Sequence, residues 1–418
     1  MKKLKVLFLA NNCIGVSYWR MVKFFNEMQK SDEVSAGLWG LDYKTHANGC
    51  MAWERQMGRN IKMREGLYDS LISADVVIYG FSAQPISLSI IDVFKNEVLP
   101  NKVFITEIDD FIYGVPNYNP AFKNGLKPGN GLENIVSLQM TDSNAVITST
   151  DYLKKEYAVY NQNINVVPNS VDLQKWNFAR KKNKKIRIGW IGAANHDEDL
   201  RLLEPVIPAI LEKYKNVEFS FVHGVPDFLK KMGKRVKFSH TDKWCDIRKY
   251  PKFMASQNID IGLAPLLDNR FNRCKSNLRW LEYGTQKTPC VASNVADFSK
   301  TIKDGKTGFL ASETKDWIDK ISLLVENETL RQEVGNNAYN LVEKDYNIKT
   351  NTEKYIKIIK GVYNGQRRLE ARNEKTNKRH IGRHKSSEMV EHDTEQPIGL
   401  GTGGSGLEDI VSTFKDNG

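Results

Sequence analysis

No stretch of this sequence approaches the roughly 18 consecutive apolar residues that a membrane span requires. Its first apolar run, Val6-Leu7-Phe8-Leu9-Ala10, follows a lysine-rich start in the manner of a signal peptide. The run is short, however, and Asn11-Asn12 ends it with no small-residue cleavage pattern. It reads as a buried first strand, and the chain as cytoplasmic, with a peripheral place at a membrane left open. Cysteine is scarce. The five residues Cys13, Cys50, Cys245, Cys274 and Cys290 are odd in number, widely spaced and without a C-x-x-C pair, which argues against a disulfide framework or a zinc site. No metal is expected. Apolar residues are also lacking after Gly365, and residues 399–406 hold five glycines, so 366–418 is expected to be a disordered or loosely attached tail.

The chain carries a net charge of +11, yet the tail from Arg367 onward holds nine Lys/Arg and nine Asp/Glu. The whole excess therefore sits in residues 1–366. It suits phosphate-bearing ligands, anionic polymers such as nucleic acid, or a membrane surface, and net charge alone does not choose among them. No motif of a nucleic-acid-binding fold is present.

What is there points to packed α/β domains. Forty per cent apolar residues exclude a wholly disordered chain, and 418 residues suffice for two domains. Short apolar runs ending in small or polar residues recur: 4–10, 74–80, 102–106, 145–148 and 165–167. Such runs read as parallel strands buried on both faces, with helices such as Tyr18–Gln29 between them. The basic run Arg180–Lys185 reads as a solvated linker, after which strands restart at 186–192, 217–222, 235–238, 260–264 and 287–293. Residues 316–345 have helical spacing, and a last helix is expected near 351–363. The expected fold class is α/β, with two doubly wound Rossmann-like domains facing a cleft. The first spans 1–175 and the second 183–346; 347–365 packs back on the first, and 366–418 is the tail.

The most informative stretch is Asp268–Gly284. Ser276 or Asn277 is a natural N-cap, so a helix from Leu278 would present free N–H groups and its positive dipole end to a diphosphate. Lys275 adds a cation at the same mouth. Glu282 lies about two turns inward and suits a ribose diol. An ordinary capped helix with a surface lysine and a salt-bridged glutamate fits these residues equally well.

Residues Asn272–Tyr283, with Pro289–Ser293 and Asp304–Leu310, resemble the donor-site region of family 4 glycosyltransferases of the GT-B fold. The resemblance extends over most of residues 4–360. It includes the glycine loop Gly192-Ala193-Ala194-Asn195-His196, the early segment Gly15-Val16-Ser17-Tyr18-Trp19-Arg20, Glu107-Ile108-Asp109-Asp110, and Val167–Asp172. It implies a retaining transferase that uses a nucleotide-diphosphate sugar, a UDP- or GDP-sugar, as co-substrate, with no required cofactor and a glycan, lipid-linked or other polymeric acceptor.

In the family's E-x7-E pattern the second glutamate matches Glu282, which is expected to hold the ribose; the first falls on Cys274, a poor hydrogen-bonding substitute. The implied donor-binding set is Gly192, His196, Arg273, Lys275, Ser276, Asn277, Leu278 and Glu282, with Arg279 able to add a cation. Asp109 and Asp110 follow a strand at its carboxyl edge and are expected to face the transferred sugar as catalytic residues. Gly15, Ser17, Tyr18 and Arg20 form the acceptor-side loop, where Arg20 would meet phosphate or pair with a core carboxylate. Two alternatives stay open: a non-catalytic nucleotide-sugar or glycan-binding protein, and a glycosyltransferase acting on modified nucleic-acid bases.

Overall fold

The computed structural model describes residues 2–10, 15–39, 53–55, 61–63, 66–80, 102–119, 122, 131–192, 196–222, 226–239 and 249–387. Its first half is a parallel six-stranded sheet of β1 (Leu4–Leu9), β2 (Val34–Trp39), β5 (Val76–Gly80), β6 (Val103–Ile108), β7 (Ala145–Thr148) and β8 (Ile164–Val166). Their order is β2-β1-β5-β6-β7-β8. A separate antiparallel pair joins β3 (Trp53–Arg55) to β4 (Ile61–Met63). The second half is another parallel sheet, ordered β11-β10-β9-β12-β13-β14. Its strands are β9 (Ile186–Ile191), β10 (Val217–Val222), β11 (Val236–Ser239), β12 (Ile261–Ala264), β13 (Cys290–Ser293) and β14 (Phe309–Ala311). Continuous burial explains the unbroken apolar runs: every residue of β5, β6, β7, β12 and β13 is buried, as strands covered on both faces must be. The α/β fold expected from the sequence, with two parallel-sheet, Rossmann-like halves, is thus the one observed.

Several elements differ from the sequence expectation. Gly15 does not open a loop; it begins the helical segment, which passes through a π-turn at Tyr18–Val22 before continuing as Lys23–Met28. The stretch 316–345 is two helices, Thr314–Glu326 and Glu328–Asp345. Asn327 breaks them, its side chain accepting from Leu330 N at 2.9 Å as an N-cap. The run Arg180–Lys185 is not simply solvated. Arg180 donates to Gln286 O and Thr288 Oγ1, and Asn183 to Asp260 Oδ2, so the linker is fastened to the second sheet.

The last helix, Ile348–Ser387, is much longer than 351–363. It continues past the point where apolar residues run out because Gln, Arg, Glu and Ala are good helix formers and pairs such as Arg367–Glu370 support an exposed helix. Loose chain is expected from 366, whereas residues up to 387 are helical; the rest of the tail lies outside the described residues. Before this helix the chain returns to the first half. Val171 N donates to Tyr346 O, and Ile348 N donates to Val171 O. Tyr355, Ile356 and Ile359 then join Val6, Phe8 and Phe24 in the core of the first sheet.

Candidate functional site

In the second sheet the chain reverses its winding between β9 and β12, and open α/β sheets hold ligands beyond the strand ends at such a point. A pocket lies there. From the second half it is walled by Trp190, His196, Ala264, Pro265, Leu266, Lys275, Ser276, Leu278, Arg279 and Phe298; from the first by Asp109, Asp110 and Asn169. Asp109 and Asp110 follow β6, and Asn169 follows β8, so both sheets present their carboxyl edges to one space.

The helix Leu278–Thr285 opens at this pocket with Asn277 as N-cap. Asn277 makes no side-chain cap bond; its amide donates to Thr301 Oγ1 at 2.9 Å, and the residue is buried outside the pocket lining. Lys275 Nζ lies 2.9 Å from Asp110 Oδ1. Burial works against the ammonium, but Asp110, with Asp109 and Asp199, outweighs it and holds Lys275 above its ordinary range. Arg279 pairs with Glu282 one turn on and reaches Tyr250 Oη at 3.2 Å. Glu282, buried with this partner, therefore stands behind Arg279 and not in the pocket wall. Arg273 is also absent from the wall: its half-exposed guanidinium turns outward to Asp268.

On the opposite side, burial above all, with Asp110 adding and Arg20 opposing, pushes the Asp109 carboxyl up to about 7. Arg20 takes the core alternative. Its Nε donates to Glu107 Oε1 at 2.7 Å and its Nη1 to Asn169 Oδ1 at 3.1 Å; Tyr355 Oη donates to Glu107 Oε2. A fully buried guanidinium needs such a partner, which explains why it does not face solvent phosphate. Its Nη2 is a buried donor with no partner among the described residues. Asn169 in turn donates from Nδ2 to Ser276 Oγ at 2.9 Å, joining the two walls. Gly15, Ser17 and Tyr18 lie outside the pocket lining, and a Cβ on Gly15 would meet nothing within 4 Å.

His196 caps the short helix Asp197–Leu200 after β9. Its Nδ1 lies 2.8 Å from Asp199 Oδ2. Gly192 is not a pocket residue: a Cβ there would fall 2.1 Å from the Trp190 ring, so only glycine leaves room for that indole. Residues 193–195 of the loop lie outside the described residues. Cys274 is packed with Phe111, Ile112, Val115 and Phe271, and burial pushes its thiol up to about 12. No group of acidic, histidine or cysteine side chains suited to a metal occurs among the described residues.

The pocket residues that sequence reasoning did not single out are Trp190, Ala264, Pro265, Leu266 and Phe298. They are apolar, and nothing in their sequence neighbourhood distinguishes a wall from a core. Asn169 was visible only as part of a resembling segment.

Residues 278–341, which include this helix, match the family described as Glycosyl transferases group 1. A trehalose synthase of Thermococcus litoralis is 32% identical over 100 residues, which is 24% of this chain and 23% of that protein. The similarity thus spans under a quarter of the curated relative. Among solved structures, Anabaena HepE with UDP and glucose superposes with a TM-score of 0.59 at 13% identity, over 86% of this chain and 100% of that one. Sucrose-phosphate synthase of Thermosynechococcus elongatus gives 0.59 at 10% identity, over 87% and 100%. A variant of S. aureus TarM with fondaparinux, α-GlcNAc-glycerol and UDP gives 0.51 at 18% identity, over 68% and 55%. The fold is GT-B. No helix among the described residues is long and apolar enough to cross a membrane.

Proposed function

We propose that this chain is a glycosyltransferase that takes a UDP- or GDP-sugar and transfers the sugar, with retention, to a glycan, lipid-linked or other polymeric acceptor. The observation that carries this reading is the placement of Lys275 and Arg279 at the mouth of the helix Leu278–Thr285, across one pocket from Asp109 and Asp110. Two cations and a helix N-terminus suit a diphosphate, and two carboxylates beyond it suit sugar hydroxyls. The match of residues 278–341 to a glycosyltransferase family covers this helix, and HepE and TarM, of the same fold, were crystallised with UDP. TarM's fondaparinux supports a glycan-like acceptor.

In this reading Lys275, the Ser276–Leu278 segment and Arg279 bind the diphosphate. Glu282 serves the nucleotide side by fixing Arg279. Asp109 and Asp110 face the sugar, Asp109 holding its proton near neutral pH. The test is a thermal-shift screen of UDP- and GDP-sugars, followed by assay of nucleoside diphosphate release and of the product's anomeric configuration. One donor should raise the melting temperature and turn over. Stabilisation without release under any acceptor would make the chain a binding protein instead.

A further inference from the structure

His196 is anchored more elaborately than a loop histidine needs. Its Nδ1 lies 2.8 Å from Asp199 Oδ2, while Asp199 Oδ1 accepts from Leu267 N at 2.8 Å and from Asn272 Nδ2 at 2.9 Å. Asn272 also donates to Leu267 O, and its own N–H is held by Asn269, whose amide reaches Tyr118 Oη. With its carboxylate accepting on both oxygens, Asp199 fixes Nδ1 as the protonated nitrogen and leaves Nε2 on the far edge of a ring that lines the pocket. The Trp190 edge, with ring centroids 6.1 Å apart, restrains the ring's tilt.

We infer that His196, oriented by Asp199, takes up a proton from water when a nucleoside diphosphate enters this pocket and then donates from Nε2 to a diphosphate oxygen. The inference rests on the nucleotide-sugar reading above. The charges around the ring supply the reason. Asp197 and Asp199 belong to its own helix, Lys275 and Arg279 face it from the second-half wall, and Asp109 and Asp110 stand on the opposite one. Burial lowers the imidazole below its ordinary range, Lys275 and Arg279 add to that, and Asp199 opposes it. A diphosphate between the two cations neutralises their field and places negative charge beside Nε2. The influence of the two cations is thereby reversed and the diphosphate's charge works against the burial, while Asp199 remains to stabilise an imidazolium. Asp199 is a positioning residue; the proton sits on His196.

The experiment is a pH titration, by NMR, of the full chain labelled with [13C]histidine, with and without saturating UDP, or GDP where UDP does not bind. Seven histidines keep the spectrum tractable, and His196→Gln assigns the signal. The expected result is an Nδ1–H neutral ring in the free protein. With ligand its midpoint should rise by at least about one unit, a tenfold change in proton affinity. His196→Gln should lose about tenfold in nucleotide affinity at pH 6.5 and much less at pH 8.5. Asp199→Asn should shrink the ligand-induced rise; if that variant fails to fold, the His196→Gln comparison still decides. Nucleotide binding that leaves the His196 midpoint unmoved, or is indifferent to His196→Gln at both pH values, overturns the inference alone. Failure of both nucleotides to bind overturns it together with the nucleotide-sugar reading.

Discussion

Lys275 of the second half and Asp110 of the first face each other across the pocket, Nζ to Oδ1 at 2.9 Å. The cation best placed for a diphosphate is thus already engaged, and an incoming nucleotide must compete with Asp110 for it. Asp110 is 46% exposed on its side chain, so the pair is worth only about 0–1 kcal/mol. Asp110→Asn should therefore tighten nucleoside diphosphate binding by about two- to fivefold while lowering turnover. Lys275→Ala should do the opposite to affinity, weakening a nucleoside diphosphate more than the nucleoside, with a loss that shrinks as salt rises. Isothermal titration of both variants checks this; equal affinities in all three proteins would separate the ion pair from ligand binding.

Glu282 is buried with Arg279 as its partner. Removing the carboxylate leaves a buried guanidinium short of its counter-charge, at a cost of about 1–3 kcal/mol. Glu282→Gln should lower the melting temperature and weaken nucleoside diphosphate binding by about one to two decades. A variant with wild-type melting and wild-type affinity would show Arg279 to be independent of it.

Asp109 gives a pH signature of stability. The unfolded chain releases this proton near about pH 3.9, whereas burial and Asp110 hold it in the folded protein to about 7. Between these values the folded state binds more protons, so its contribution to stability falls as pH rises through the window and levels off above it. Asp109→Asn should flatten that slope and raise the melting temperature at pH 8 more than at pH 4.5. A parallel pH dependence in the two proteins would contradict the assignment.

Cys274 packs in an apolar cluster, with the already paired charges of Glu156 with Arg270 and Asp110 with Lys275 around it. Its thiol, pushed up to about 12, should resist alkylation in the native protein at pH 8. Cys274→Glu should destabilise by about 3 kcal/mol or more, since it would bury an unpaired charge, and should not create a new sugar contact. A stable, more active glutamate variant would show that the site opens to the pocket.

Deleting residues 367–418 should shift the melting temperature by no more than about 2 °C, because residues 367–376 are largely exposed helix with little apolar area to bury. A larger drop would make it part of the folded body.

Much of the architecture was legible because a strand buried on both faces leaves a continuous apolar signature, as in 74–80 and 145–148. Lys275 and Ser276 were legible because cap, cation and helix are neighbours in sequence. Partners far apart in sequence were not. Arg20 and Glu107 are 87 residues apart, Asn169 and Ser276 107, and Asp199 and Asn272 73. Spacing showed that Glu282 turned inward, but not that Arg279 and Tyr250 enclosed it there. The break at Asn327 was hidden because apolar spacing continues across it, and the capping bond that ends one helix and starts the next depends on one side-chain angle.

The polypeptide crosses between its two halves twice, and the crossings meet where Val171 bonds to Tyr346 and Ile348. Two covalent connections pinned at one point form a pivot, which leaves rotation about it as the cheap motion and makes separation or sliding expensive. Asn169 lies two residues before Val171 and donates to Ser276, beside Lys275, so that side of the pocket is tethered close to the joint and would move little in such a rotation.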